Sequence, residues 1–411
     1  MKKTTGAAAA AVTAQPDRHA MSRVMLAWEG GAGRGHVVTL ARVARSLAGV
    51  VACDAALGWM THADEIAPWC EKVFPGVRLP YDRAGRKARG APPAATWAEW
   101  LLDCGFADGD RMAARVSWWL DTFARRQTSL LIGDYAPCAL MAARIAGIRA
   151  LAIGTGYAIP PQGLDSFPVF LPEYPEREAD EADLTARLNA ALGPLGLPRL
   201  ERLPDIYRRS GELVRTLAML DPYRGQRSAP YLPPVADYAG PAGPDGDYAF
   251  CYFSTTELAQ PGLVEALATC GLPLRGFLPG APEDVVARLA AAGMVIEPRP
   301  LPVAEIGRSA RLLCNSGQHG MVCLGLAAGL PQVCLPQHLE QLYVARQAEA
   351  AGVARVIWPM ATPADAVRDT LRAAWHDAGA SRRASELARS LAPAFVHDDG
   401  AILRQAIASW L

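Results

Sequence analysis

The chain has 411 residues, of which 51% are apolar and 20% are charged. This composition is that of ordinary folded protein, and it excludes the disordered, collagen-like and coiled-coil classes. The 41 basic residues balance the 41 acidic residues, so no net positive charge holds the chain on a nucleic acid or an anionic membrane. We therefore expect no nucleic-acid partner and at most a peripheral contact with a membrane.

The cysteines and the N-terminus indicate the compartment. The nine cysteines are scattered and never spaced as CxxC. This favours reduced, buried thiols in a cytoplasmic protein over a disulfide or zinc framework. The chain begins with a lysine pair and an alanine run that is too weakly apolar for a signal-peptide core. We expect residues 1–21 to form a disordered tail.

From Arg23 onward, short apolar runs typical of strands alternate with segments of helical period. In the first half, this pattern predicts strands over 24–28, 50–57, 129–133 and 150–153, and helices over 37–47 and 135–146. In the second half, it predicts strands over 248–253, 272–277, 294–297, 311–315, 332–335 and 354–357, with helices over 262–269, 282–292, 321–328 and 341–351. The alternation predicts an α/β fold with parallel sheets, because right-handed crossovers place helices on both faces.

A stretch rich in proline and glycine, 229–247, interrupts this alternation near the middle of the chain. We interpret it as a linker between two doubly wound, Rossmann-like domains. The predicted organisation is a first domain at 22–235, a second domain at 236–390 and a C-terminal segment at 391–411. Parallel sheets bind ligands at the carboxyl ends of their strands, so two facing domains would place both binding edges in one cleft.

The first predicted strand runs into a glycine-rich loop, and His36 follows at the start of a helix. Glycines let a ligand approach the backbone, and a helix N-terminus favours negative charge. The glycines do not have the spacing GxGxxG, so the loop is not that of a dinucleotide-binding domain. On position alone, His36 either faces the cleft or caps the helix.

Asp134 follows the strand at 129–133 and precedes a helix. An aspartate in this place often does no more than cap the helix. The ends of the two strands can also lie side by side in a parallel sheet. Asp134 would then hold His36 in one tautomer and stabilise its protonated form, as the acid of a triad does. In that interpretation, His36 is a general base for a hydroxyl.

Two further loops lie at strand ends in the second half. The strand at 311–315 runs into a glycine-bearing turn whose free backbone N–H groups suit a diphosphate. No Gly-Lys-Ser/Thr follows, so this is not a Walker loop. After one more strand, Glu340 and Gln341 begin a helix that points toward the same edge.

In this order, the motifs resemble those of the GT-B nucleotide-sugar glycosyltransferases of the family-1 type. The resemblance covers about 23–357 and is strongest over 300–352. It rests on the GxGH loop that ends at His36, on Asp134, and on a C-terminal run related to HGGxGT, EAL, GxP and an acid-Gln pair. It implies two facing Rossmann-like domains, with the last helix crossing back onto the first.

The resemblance implies an inverting transfer of a sugar from a nucleotide-diphosphate sugar, UDP- or dTDP-linked, to a hydroxyl of a small apolar molecule, a glycan or a lipid-linked acceptor. His36 would be the base and Asp134 its partner, with no cofactor and no metal. The donor would be bound by Ser254, Thr255, Pro300, Leu301, Ser316, Gly317, Gln318, His319, Gly320, Met321, Glu340 and Gln341. The acceptor would contact Gly33, Trp97 and Trp119, although the tryptophans are also typical of a helical core.

This sequence departs from the family pattern in the donor loop. Ser316 stands in place of the family's histidine, Gln318 in place of its second glycine, and Met321 in place of its threonine. Leu324 occupies the position of the carboxylate that binds the ribose, and His319 could replace the missing histidine as a phosphate donor. Two alternatives therefore stay open: a nucleotide-sugar hydrolase or epimerase of the same fold, and a non-catalytic partner subunit.

The sequence contains two Asp-Gly-Asp runs, at 108–110 and 245–247. They look like the metal-binding DxD of the other glycosyltransferase fold. Both lie in turn or linker sequence, where Asp-Gly pairs are common. We therefore expect no metal site.

Overall fold

A computed structural model describes residues 23–31, 33–80, 94–234, 246–254, 256–359, 362–395 and 398–411. The predicted tail at 1–21, Thr255 and residues 235–245 of the predicted linker lie outside the described residues. The described residues contain two six-stranded sheets, one built from strands before the linker and the other from strands after it. All paired strands run parallel. The predicted fold class of two doubly wound α/β domains is thus confirmed.

The first domain carries the first sheet. Its strands are β1 (Arg23–Trp28), β2 (Ala52–Leu57), β3 (Lys72–Pro75), β4 (Leu130–Asp134), β5 (Arg149–Gly154) and β6 (Ser210–Val214). Its helices are α1 (Arg34–Leu47), α2 (Ala63–Ile66), α3 (Trp97–Asp103), α4 (Gly109–Arg126), α5 (Pro137–Ala146) and α6 (Glu181–Leu192). The strand order is β3-β2-β1-β4-β5-β6, which reverses direction between β1 and β4. Ligands of such sheets bind at this switch point.

The second domain repeats this architecture. Its strands are β7 (Tyr248–Tyr252), β8 (Leu274–Phe277), β9 (Val295–Ile296), β10 (Ala310–Asn315), β11 (Gln332–Cys334) and β12 (Ala354–Val356). Its helices are α7 (Pro261–Thr269), α8 (Glu283–Ala291), α9 (Val303–Ser309), α10 (His319–Ala328), α11 (Leu339–Ala350), α12 (Ala364–Trp375) and α13 (Ala378–Leu391). The order β12-β11-β10-β7-β8-β9 is the same as in the first sheet, with its switch point between β10 and β7.

The burial of the central strands explains why they can be recognised as apolar runs in the sequence. Every residue of β2 and β4 is buried, and so are the last five residues of β1. Strands covered by helices on both faces are continuous apolar runs rather than alternating ones. The nine cysteines all lie in described residues as free thiols, and all but Cys70 are buried.

The last helix, α14 (Asp399–Ala408), returns to the first domain and packs against α1. Two polar contacts fix it there: Arg42 pairs with Asp399 at 3.2 Å, and Arg149 donates to the carbonyl of Leu411 at 2.7 Å. The C-terminal segment is therefore held to α1 and to the start of β5 in the first domain. Across the residues with described structure, no helix is both long and apolar enough to cross a membrane.

Candidate active site

The switch point of the first sheet brings His36 and Asp134 together. Trp28 at the end of β1 is in register with Asp134 at the end of β4. His36 lies in the first turn of α1, and its Nδ1 is 3.1 Å from Oδ1 of Asp134. The aspartate side chain is only 3% exposed, against 17% for the histidine. The two atoms lie within ion-pair distance, as expected of a base and the carboxylate that orients it, although this Oδ1 has no partner with full hydrogen-bond geometry among the described residues.

The pKa of His36 reflects two opposing influences. Burial alone would lower it, because a charged ring is poorly solvated in the interior. The negative charges of Asp134 and Glu340 act in the opposite direction and raise the pKa above the ordinary histidine value. The imidazolium is thus the form that its surroundings stabilise, which suits a group that takes a proton during a reaction.

Gly31 lies against the outer nitrogen of His36. Its φ is +78°, in the left-handed region that favours glycine. A Cβ at this position would lie 2.6 Å from Nε2 of His36. Only glycine therefore leaves room beside the nitrogen that would take a proton. Gly33, one of the expected acceptor contacts, has φ +107°, and no described atom lies within 4 Å of a Cβ placed there.

Aromatic rings surround the imidazole. Trp28 stacks on His36 with ring centroids 5.2 Å apart, and Trp59 lies 4.9 Å beyond Trp28. Tyr135 meets His36 edge-on at 5.0 Å. Trp28 and Trp59 were not among the residues predicted for the site. The available signal was that each comes at or just after the end of a neighbouring strand.

Trp97 and Trp119 lie in the core of the first domain, not on a surface of the cleft. Both side chains are fully buried. The indole N–H of Trp97 donates to the hydroxyl of Tyr207 at 2.6 Å, and that of Trp119 donates to the carboxylate of Glu29. The expected acceptor contact does not fit this burial, because neither ring has an exposed face on which an acceptor could lie.

Glu29 is a buried carboxylate that the sequence analysis did not single out. It follows β1 and accepts hydrogen bonds from the backbone N–H groups of Cys138 at 2.8 Å and Ala139 at 3.0 Å, as well as from Trp119. Burial raises the pKa of Glu29 to about 8, although these N–H donors act to lower it. Glu29 thereby ties the glycine loop to the N-terminus of α5, and this contact fixes the two loops that carry His36 and Asp134.

In the second domain, the predicted diphosphate loop connects β10 to α10. The loop's side chains bind part of its own backbone: Gln318 accepts from the N–H of Ser316 at 2.9 Å, and Asn315 accepts from that of Gly317 at 2.7 Å. Ser316 is fully buried, and its hydroxyl donates to Glu257. Ser316 therefore offers neither its N–H nor its hydroxyl proton to a ligand in this arrangement.

Other donors remain at the start of α10. No side chain among the described residues caps this helix, so the first N–H groups, which belong to His319, Gly320 and Met321, have no partner within the helix. The Nε2 atom of Gln318 is buried with no hydrogen-bond acceptor among the described residues. Met321 packs against the apolar cluster of the second domain, and Leu324 is buried within that cluster.

His319 contacts the first domain. Its Nε2 is 2.7 Å from the hydroxyl of Thr216. Burial, together with the charge of Arg215, lowers the pKa of His319 to about 4. The ring is therefore neutral near pH 7 and could offer a phosphate one N–H but no positive charge.

Glu340 reaches across the cleft. The hydroxyl of Tyr135 donates to its Oε2 at 2.6 Å, and that of Thr155 donates to its Oε1 at 3.2 Å. Gln341 is buried, and its Oε1 accepts from the backbone N–H of Gln337 at 2.8 Å. The structure thus brings Glu340 next to the His36 pair, whereas the Gln341 side chain stabilises the loop before α11.

The remaining predicted donor residues lie at or near strand ends of the second domain. Ser254 is half-buried after β7, and Pro300 is exposed before α9. Leu301 is partly buried against the apolar cluster that contains Met321. The donor roles of these residues stay predictions.

Comparison with known proteins gives a match at the level of the fold. No family model matches the chain, and no curated protein matches it. A calicheamicin glycosyltransferase matches with a TM-score of 0.68 and 15% identity, over 95% of this chain and 98% of that one. The glycosyltransferase of kitacinnamycin matches with a TM-score of 0.65 and 18% identity, over 95% and 99%.

A third solved structure, a spinosyn rhamnosyltransferase complexed with thymidine diphosphate, matches with a TM-score of 0.62 and 17% identity, over 93% of this chain and 99% of that one. Each match covers nearly the full length of both chains and therefore includes both sheets. At identities this low, similarity establishes architecture rather than activity. The chain has the two-domain GT-B fold of these glycosyltransferases.

Proposed function

We propose that this protein is an inverting glycosyltransferase that moves a sugar from a nucleotide-diphosphate sugar to an acceptor hydroxyl. The observation that carries the proposal is the His36–Asp134 pair at 3.1 Å, which lies at the switch point of one sheet and faces Glu340 from the other domain. A base, its orienting carboxylate and a second carboxylate thus meet where two GT-B domains face each other.

In the proposed reaction, Nε2 of His36 takes the proton of the acceptor hydroxyl while Nδ1 stays directed at Asp134. The hydroxyl oxygen bonds to the anomeric carbon as the bond from that carbon to the diphosphate breaks. A single displacement of this kind inverts the anomeric configuration. The acceptor oxygen would approach Nε2 beside Gly31, which has no side chain to cover that nitrogen.

The leaving diphosphate would be stabilised at the start of α10. The donors there are the first N–H groups, which have no partner within the helix, and the buried Nε2 of Gln318. The positive end of the helix dipole also favours the negative charge. In this proposal, these groups stabilise the negative charge that develops on the diphosphate, and no resident cofactor or metal ion takes part. We propose a UDP- or dTDP-linked donor.

Ligand binding to the purified protein tests the donor half of the proposal. Thermal shift and calorimetry with UDP, dTDP and their glucose conjugates should show binding, because a ligand at a hundred times its dissociation constant adds about 2.7 kcal/mol to stability. If none of these nucleotides binds, the donor proposal fails and the non-catalytic partner subunit becomes the better interpretation.

Product analysis tests the reaction. A transferase should release free sugar slowly until an acceptor is supplied, so incubation with and without a panel of apolar alcohols and phenols separates it from a hydrolase. His36→Ala should lower transfer by roughly 10²–10⁴-fold and leave nucleotide affinity unchanged. His376→Ala is the matched control, because His376 is exposed at the end of α12. Fast release without acceptor, or normal transfer by His36→Ala, would contradict the proposal.

A further inference from the structure

Tyr135 has an unusual backbone conformation for a large side chain. It directly follows Asp134, and its φ is +48°. Aromatic residues rarely adopt the left-handed region, because their Cβ approaches the neighbouring backbone. Such strain persists only where surrounding contacts impose it, and it is concentrated at functional sites. The contacts of Tyr135 therefore indicate what the strained conformation achieves.

These contacts join three parts of the site. The carbonyl of Tyr135 accepts from the N–H of Gly30 at 3.0 Å, which holds it to the glycine loop. Its ring packs edge-on against His36 and against the stacked pair Trp97 and Trp100. Tyr135 is only 5% exposed, and its hydroxyl reaches Glu340 in the other domain.

Each carboxylate oxygen of Glu340 accepts a hydrogen bond from a hydroxyl of the first domain. Tyr135 donates to Oε2 and Thr155 to Oε1. An ionised carboxylate has about four acceptor positions, so roughly half stay available. These two bonds also fix the plane of the carboxylate and therefore the directions in which it can accept from a ligand.

We infer that Tyr135 is a positioning residue: it holds the Glu340 carboxylate beside His36 and aims the free acceptor positions of that carboxylate at two hydroxyls of the donor sugar. This inference rests on the proposed function. The sugar site is then complete only when the two domains face each other, because the carboxylate belongs to one domain and its orientation comes from the other. The preferred donors are sugars with two neighbouring free hydroxyls.

The same placement affects the base. The groups that face His36 are Trp28 from β1, Asp134 and Tyr135 from the end of β4, and Glu340 from α11, and the charges that raise its pKa are those of Asp134 and Glu340. If Tyr135 holds Glu340 in place, removal of its hydroxyl leaves the carboxylate with only the longer bond from Thr155 and allows it to move away. The pKa of His36 should then fall, although the Asp134 contact is intact.

The experiment compares Tyr135→Phe with Tyr174→Phe. Tyr174 is the matched control, because its hydroxyl also joins the domains, accepting from Trp358 Nε1 at 2.6 Å. Calorimetry measures the affinities for dTDP, dTDP-glucose, UDP and UDP-glucose. NMR of labelled histidines measures the pKa of His36 without any ligand. Thr155→Val, which removes the other bond to Glu340, serves as a second variant if Tyr135→Phe does not fold.

We expect Tyr135→Phe to lower the affinity for the nucleotide sugars about tenfold, since the lost bond is to a charged group. The affinity for the free nucleoside diphosphates should stay unchanged. The pKa of His36 should fall in the same variant and stay constant in Tyr174→Phe. Unchanged sugar affinity together with an unchanged His36 pKa would overturn the inference, and so would equal effects of the two variants. If the unmodified protein binds none of the four nucleotides, the proposed function fails, and the NMR result alone decides whether Tyr135 positions Glu340.

Discussion

His319 permits a prediction whose size follows from the structure. Burial and the charge of Arg215 lower its pKa to about 4, whereas a histidine in an unfolded chain titrates near about 6.5. A group with a depressed folded pKa contributes stability that is fully present above its unfolded pKa and is lost as the pH falls through the folded pKa. Acidification from pH 6.5 toward pH 4 should therefore destabilise the protein through His319.

The expected loss can be worked out from the two pKa values. The lowering from about 6.5 to about 4 corresponds to roughly 3 kcal/mol, and at pH 4.5 the linkage relation gives a loss of roughly 2–3 kcal/mol. Because carboxylates also titrate in this range, the informative quantity is the difference between the protein and a variant that lacks this imidazole.

Two measurements check the prediction. NMR titration should find His319 still neutral at pH 5.5. In urea unfolding, His319→Phe should lose less stability between pH 7 and pH 4.5 than the unmodified protein, by roughly 2–3 kcal/mol. His376→Phe, which replaces an exposed histidine, is the control for the substitution itself. A His319 that titrates above pH 6, or identical pH profiles for the protein and His319→Phe, would refute the reasoning.

Three further substitutions have directional outcomes. Asp134→Asn should lower the pKa of His36 in an NMR titration, because the carboxylate that raises it is lost; an unchanged pKa would show that the pair is not coupled. Gly31→Ala should displace His36 and abolish transfer, since its methyl group would lie 2.6 Å from Nε2. Gly33→Ala carries a similar backbone penalty with no described atom near its methyl group, so equal losses of transfer in the two variants would exclude the steric reason. Asp221→Ala should cost about 3–5 kcal/mol of unfolding free energy, because Asp221 is fully buried and accepts two bonds from Arg227, at 2.6 and 3.0 Å. A loss of unfolding free energy below about 1 kcal/mol, measured by urea unfolding, is typical of an exposed ion pair and would contradict this prediction.

The sequence predicted the central strands but not two edge strands of the first sheet. β3 and β6 lie at opposite ends of the strand order. β3 is exposed at both ends, and β6 begins Ser-Gly-Glu. Edge strands are covered less than central ones, so they do not need the apolar run that makes β1 and β4 recognisable.

The meeting of His36 and Asp134 was predictable because it depends on topology alone. Asp134 ends β4, His36 follows β1, and these two neighbouring strands end at the same edge of the sheet. The bond between Tyr135 and Glu340 depends instead on how two domains face each other. Strand and helix patterns within either domain carry no information on that orientation.

The burial of Trp119 was readable in the sequence, although we also assigned this residue to the acceptor site. Met112, Val116, Trp119 and Phe123 recur at helical spacing along α4, and all four are buried. Residues three or four apart share one face of a helix, so this stripe predicts a core position. An aromatic residue within such a stripe is better assigned to packing than to a ligand.

The donor loop combines its substitutions into one consistent arrangement. Ser316 stands where the resemblance predicts a histidine. Its hydroxyl donates to the buried carboxylate of Glu257, so no cationic side chain stands at this position. His319 is neutral near pH 7 because of its low pKa. Neither residue therefore supplies positive charge to a diphosphate. The stabilisation we propose comes from fixed dipoles instead: the N–H groups at the start of α10 and the amide of Gln318. Fixed dipoles need not reorganise as charge develops on the leaving group, and in a site shielded from water they act more strongly than in solution.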